Sequence, residues 1–176
     1  MCGRGIDQVL AHPCCPEIYE DYMRSAAGYV LLAEQANGPI PRHSASSYVW
    51  GAALDQLERM QPDARIVNLE TAVTRSNDRA NKGINYRVSP ENAECLAAAR
   101  IDCCVLANNH VIDWGRAGLL ETLTTLQKTQ SQSCGRRTQQ LRSARTRSAV
   151  PCQRAIADLF VRIDIERRPV QVGSDT

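Results

Sequence analysis

Two short apolar runs in this chain end in polar, chemistry-bearing residues, and the remaining pattern is arranged around them. The run over 101–107 has the length and composition of a buried strand, and leads directly into Asn108, Asn109, His110 and Asp113. The run over 65–69 reads as a second short strand, with Asn68 near its end and Glu70 just beyond it. A helix is expected over 17–35, where Ala, Leu, Glu and Tyr are frequent. It is closed at Asn37-Gly38-Pro39, with Gly just past the last periodic residue and Pro beyond. A second helix is expected over 48–60, with Leu54 and Leu57 on its apolar face, joined by Trp50 or Ala53, and Gln61-Pro62-Asp63 ends it. The polar stretch over 74–86 predicts a loop above the two strand ends. Ser89-Pro90-Glu91 predicts a helix start running on to Arg100: Ser as the cap, Pro at the first position, an acid in the first turn. A last helix is expected over 116–128, with Leu119, Leu120, Leu123 and Leu126 on one stripe. Strand, helix, strand, helix is the order of a parallel α/β sheet. No internal repeat is visible.

Parallel order gives the polar residues meaning, because groups that follow such strands sit at their carboxyl ends, where α/β proteins bind ligands. An Asn, a His and an Asp there could bind a metal, carry a proton and orient the ring that carries it. The competing reading is a capping turn, since Asn and Asp favour turns. Glu70, with Asn68 beside it, turns a lone motif into a constellation. Carboxylate, amide and imidazole together suit a pair of divalent cations. His12 and His43 lie in loop-like contexts near Pro and are expected at the surface. Trp50 and Trp114 are expected to pack, with Trp114 placed to wall a pocket.

Composition narrows the picture only in places. The 176 residues allow one ordinary domain, and one Phe and two Trp leave its core to aliphatic and small side chains. The net charge of +2 is unevenly spread: 11 Lys and Arg against 15 Asp and Glu over 1–126, then 10 against 4 over 127–176. Residues 130–149 carry five Arg, four Gln, four Ser and no acid. That stretch reads either as a basic arm for nucleic acid or an anionic surface, or as sequence not evolved to pack. The second is favoured, because the chain changes character abruptly near residue 127, where another core strand is due, and the aromatic residues that single-strand binding uses are absent there as well. Residues 160–166 alternate and could form a strand. The eight Cys include the adjacent pairs Cys14-Cys15 and Cys103-Cys104 and no Cys-x-x-Cys, so they read as structural thiols in a reducing, cytoplasmic setting. No run is long enough to cross a bilayer, and no basic-then-apolar start marks a signal peptide.

Six stretches in order carry a resemblance: GRGIDQVLAHP at 3–13, SAAGYVLLAEQANGPIPR at 25–42, YVWGAALDQLER at 48–59, ARIVNLETAVTRS at 64–76, KGINYRVSPENAECL at 82–96 and IDCCVLANNHVIDWGRAGLLETL at 101–123. Over 3–126 the chain resembles the CapA-type poly-γ-glutamate capsule-biosynthesis family, a branch of the calcineurin-like metallophosphatases. The resemblance implies a four-layer α/β/β/α sandwich with metals at strand ends. It also implies metal-assisted hydrolysis or transfer at phosphate-like or amide-like centres. It makes Glu70 a bridging metal ligand, Asn109 a second ligand, and His110 the proton donor to a leaving group. Asp113 would orient His110, although the superfamily more often places its acid directly after the His, where Val111 stands. Asn68 would line the site. Arg75, Arg79, Lys82 and Arg87, between the two site strands, could hold an anionic substrate such as phosphate or a polyglutamate carboxylate, Arg75 and Arg87 foremost; the plainer reading is a solvated loop. The implied cofactors are divalent ions: Mn, Mg, Fe or Zn.

The departures shape the expectations equally. Met1 stands where the family has the Met of Gly-Asp-Val-Met, so the Asp ligand of that motif is not in the chain. The histidines are His12, His43 and His110, and no Gly-His-x-His occurs. The expectation is therefore a partial domain over 1–126, truncated at both ends, with a basic tail over 127–176 outside the family's frame. Three functions compete: a metal-dependent hydrolase or transferase of poly-γ-glutamate or envelope biosynthesis; an inactive fragment whose uncovered sheet edges invite self-association; and, last, a nucleic-acid binder acting through the Arg-rich tail.

Overall fold

The computed structural model describes residues 2–141, with side chains through Thr129. The alternating stretch over 160–166 and most of the basic tail lie outside the described residues. The chain begins with α1 (Gly5–Val9), followed by β1 (Glu17–Glu20) and β2 (Met23–Ser25), which pair antiparallel. Residues 17–25 therefore form a hairpin, where a helix was expected. Glu17-Ile18-Tyr19-Glu20 is only four residues with no clear alternation, so its strand character is hidden beside the Ala- and Leu-rich stretch that follows. That stretch is α2 (Ala26–Asn37), capped by the Ser25 hydroxyl, which accepts from the Ala27 N–H at 3.3 Å. It stops as expected at Gly38, whose φ of +84° suits glycine.

The region expected as a single helix over 48–60 is a 3-10 turn (Tyr48–Trp50) and then α3 (Ala53–Met60). Gly51, at φ +49°, separates them. The first apolar run is β3 (Ile66–Asn68), and the second is β6 (Cys103–Val105). They pair in parallel, with Ile66 opposite Cys103, Val67 opposite Cys104 and Asn68 opposite Val105. Between them lie β4 (Ala72–Val73) and β5 (Arg87–Val88), a second parallel pair of two residues each, which the pattern did not announce. The helix expected from Ser89 is a 3-10 turn (Glu91–Ala93) continuing into α4 (Glu94–Ala98). Ser89 still caps it, since its hydroxyl accepts from the Asn92 N–H at 3.3 Å. The closing helix α5 (Gly115–Leu141) begins where expected and carries on through residue 128.

The described strands thus form three two-stranded sheets, two of them parallel, in a mixed α/β chain. The core lies between β4, β5, α4 and α5: Leu69, Val73, Val88, Leu96, Ile101 and Leu126 form one buried cluster. Val67 and Cys104 place one face of the β3–β6 pair against it, and Leu54 and Leu57 dock α3 there. Among the described residues, no helix is long and apolar enough to cross a membrane.

Candidate functional site

Parallel pairing of β3 and β6 brings their carboxyl ends to one edge, and the polar residues meet there. After β3 the Leu69 N–H donates to Val105 O at 3.0 Å, which carries the pairing to the residue before Glu70. After β6 the chain turns at once: Asn108 N–H donates to Leu106 O at 2.8 Å, and Asp113 N–H to His110 O at 3.3 Å. This tight turn sends His110 and Asp113 inward, and both are buried.

The amides tie the two strand ends together. Asn108 Nδ2 donates to Asn68 Oδ1 and to Leu69 O, each at 3.1 Å, while Asn108 Oδ1 accepts from the His110 N–H at 3.1 Å. Asn68 Nδ2 donates to Glu70 Oε2 at 3.2 Å. The other Glu70 oxygen faces His110 Nε2 at 3.8 Å. On the far side of the ring, His110 Nδ1 lies 2.8 Å from Asp113 Oδ2. An ionised carboxylate only accepts, so against one Nδ1 would be the donor of this pair, and Nε2 faces Glu70. The Tyr86 ring packs on the imidazole with centroids 4.2 Å apart, and the Tyr86 N–H donates to Asp113 Oδ2 at 2.6 Å.

Asn68, Glu70, His110 and Asp113 are therefore brought together. Asn109 is exposed, and what it offers the site is its carbonyl, which accepts from Lys82 Nζ at 2.9 Å. The amide that joins the cluster is that of its neighbour Asn108, which the sequence reading did not single out; two adjacent Asn residues cannot be told apart by pattern. Arg75 and Arg87 are spent elsewhere. Arg75 pairs with Glu91, Nη2 to Oε2 at 2.8 Å, at the surface. Burial raises the Glu91 carboxyl, but the bond and charge of Arg75, with a backbone N–H and the Ser89 hydroxyl, together outweigh it and hold that carboxyl below its ordinary value. Arg87 lies over the Trp114 ring at 3.9 Å and donates to Ser76 O at 2.9 Å. Arg79 lies over Tyr19 at 4.1 Å. Of the loop cations, Lys82 reaches the cluster, forming an ion pair with Asp113. His12 and His43 are exposed, and Trp114 is buried, donating to Tyr86 O at 3.0 Å.

The donor set falls short of a metal cage. Among the described residues, no three His, Cys, Asp or Glu side chains cluster as an ion would need. Glu70 and His110 are two converging donors, and the second carboxylate, Asp113, is committed to Nδ1, Tyr86 and Lys82. The arrangement as it stands is one for holding an imidazole in a fixed orientation between two carboxylates.

Comparison with known proteins places this arrangement in a lineage. Two Mycobacterium tuberculosis proteins, from strains CDC 1551 / Oshkosh and ATCC 25618 / H37Rv, each bear the name "Probable polyglutamine synthesis accessory protein". Each is 45% identical over 136 residues, which cover 77% of this chain and 36% of theirs. The chain thus spans little more than a third of the length of the curated relatives it matches. No solved structure matches it. A family profile described as "Bacterial capsule synthesis protein PGA_cap" matches residues 1–158, beyond residue 126 where the motif resemblance stops. Matched over most of its length, and carrying the capsule-family motifs around Glu70 and His110, the chain belongs to the bacterial capsule synthesis protein family PGA_cap.

Proposed function

We propose that this chain serves the synthesis or processing of a polyglutamate-type capsule polymer, with His110 moving a proton at an amide-like or phosphate-like centre. The observation that carries the reading is the ring of His110 held between Asp113 at Nδ1 and Glu70 beyond Nε2. Asp113 fixes the ring through Nδ1, so Nε2 is the nitrogen that gives or takes the proton. Glu70 receives an amide hydrogen bond from Asn68, which holds its second oxygen toward the ring. The two mycobacterial relatives, named for polyglutamine synthesis, support the substrate class. In this reading the β3–β6 pair belongs to a metallophosphatase-like α/β/β/α sandwich. No step is routed through a divalent ion, because the described residues offer it Glu70 and His110 and no third donor of that kind.

The test measures turnover of γ-linked oligoglutamate, read as new amino termini, and of an aryl phosphate, for the native chain and for His110→Gln. Loss of a positioned acid or base should lower the rate by about 10²–10⁴-fold. Equal rates in both proteins would sink the reading. The short donor set favours a second reading, in which this stretch binds the polymer without turning it over. Saturable binding of labelled oligoglutamate with no turnover by the native chain would select it.

A further inference from the structure

The buried carboxylate of Asp113 has an unequal pair of oxygens. Oδ2 accepts from the Tyr86 N–H at 2.6 Å and from His110 Nδ1 at 2.8 Å. Oδ1 is buried and accepts no hydrogen bond; its partner is the ammonium group of Lys82, with which it forms an ion pair. Lys82 comes from the loop between β4 and β5, whereas Asp113 and His110 come from the turn after β6. The same ammonium donates to Asn109 O at 2.9 Å and stands 3.4 Å from His110 Nδ1. One side chain therefore pins the loop to the turn at the back of the imidazole.

This placement has a chemical consequence for the ring. Nδ1 faces both a carboxylate and an ammonium, and cannot serve as donor to one and acceptor from the other at once. While Asp113 stays an ionised, fixed acceptor, the proton sits on Nδ1. Without Lys82, a fully buried carboxylate would keep one oxygen with neither a cation nor a hydrogen bond, an arrangement that buried charges do not tolerate. The carboxylate would then turn away or take up a proton, and either change removes the fixed acceptor from Nδ1. We propose that Lys82 is a positioning residue that, by holding Asp113 in place, selects the tautomer of His110 with the proton on Nδ1 and Nε2 bare toward Glu70. The loop cation is thus a determinant of which nitrogen reacts, in place of the substrate-holding role its neighbours Arg75 and Arg87 suggested. The inference rests on the reading of His110 as the proton carrier only for its use; the tautomer is a property of the free protein.

The experiment is a long-range ¹H–¹⁵N correlation spectrum of the full 176-residue chain labelled at histidine nitrogen, recorded at one pH of about 8.5, where imidazoles are neutral. His110→Asn identifies the signal, and the exposed His12 and His43 serve as references within the same sample. The expected result is an Nδ1–H pattern for His110 in the native chain, its loss in Lys82→Met, and its retention in Lys82→Arg. A native His110 protonated on Nε2 overturns the proposal whatever the variants do, including a Lys82→Met chain that fails to fold. An unchanged His110 pattern in a folded Lys82→Met chain overturns it equally. An Nδ1–H tautomer that depends on Lys82 in a chain without turnover would uphold the inference and count against catalysis alone.

Discussion

Asp7 sits in the apolar company of Ile6, Val9 and Leu10, yet it is 1% exposed and fully used. Its carboxylate accepts from Cys14 N–H at 2.6 Å, Ser89 N–H at 3.0 Å and Asn92 Nδ2 at 2.7 Å, which ties α1 to the turn before α4. Asp7→Ala strands three buried donors, so it should cost on the order of 3 kcal/mol or more in urea unfolding. A loss under about 1 kcal/mol would mean that water replaces the carboxylate there. Gly3 is constrained differently: a Cβ at that position would lie 2.6 Å from Arg87 O and 2.9 Å from Thr71 Oγ1. The nearer atom is backbone of β5, so Gly3→Ala should destabilise by about 1–3 kcal/mol and should disturb the adjoining Tyr86 ring against His110. Urea unfolding and the His110 ring signals would report the two effects separately. Residue by residue, the site was legible where side-chain chemistry stood out, at Glu70, His110 and Asp113. It was not legible where neighbours of like chemistry compete, as with Asn108 and Asn109. Nor could it be read where a cation's partner is set by tertiary contact, as with Lys82, Arg75 and Arg87.

At the scale of elements, legibility followed length and burial. The runs that became β3 and β6 were readable because an apolar segment that ends in polar residues has few other uses, and α2 was readable at its Gly stop. The hairpin of β1 and β2 was not, because a four-residue strand without clear alternation is outweighed by the twelve helical residues that follow it. β4 and β5 are two residues each, too short to show a period, and tertiary contacts define them. The clearest such contact is Thr122 on α5. Its hydroxyl accepts from the Val73 N–H at 2.9 Å and donates to Gly118 O at 2.8 Å, so the helix caps the free edge of β4. Thr122→Val keeps the shape and removes the hydroxyl, leaving the Val73 N–H buried and unpaired. The expected cost is about 1–3 kcal/mol, with faster amide exchange at Val73. If exchange at Val73 stays as slow as in the native chain, the helix is not what holds that edge.

For the whole molecule, the buried thiols contribute to how the fold responds to alkali. Among the described residues, burial supports the structural reading at Cys14, Cys95 and Cys103, which are buried, and at Cys2 and Cys104, which are half-buried, but not at Cys15, which is exposed. Burial pushes the Cys14 and Cys104 thiols from an ordinary 9.0 up to about 12, aided at Cys14 by Asp7 and at Cys104 by Cys103. Cys95 is raised too, by its hydrogen bond with Cys2 and by burial. Cys2 runs the other way: the bond from Cys95 lowers it to about 7, so its contribution is lost as pH falls from 9 toward 7. A raised thiol stays protonated in the fold while the unfolded chain ionises. Its contribution is therefore whole below pH 9 and drains away between 9 and 12, at about 1.4 kcal/mol per pH unit for each group. Unfolding free energies of the native chain and of Cys14→Ala, measured from about pH 8 to 11, isolate one such group. Below pH 9 the gap between them should be constant and should reflect packing alone. Above it the native chain should lose stability faster, so the gap narrows with each unit. A gap that stays constant across the whole range would mean that Cys14 ionises as easily in the fold as outside it, and that the seam between α1 and β4 where it lies admits water.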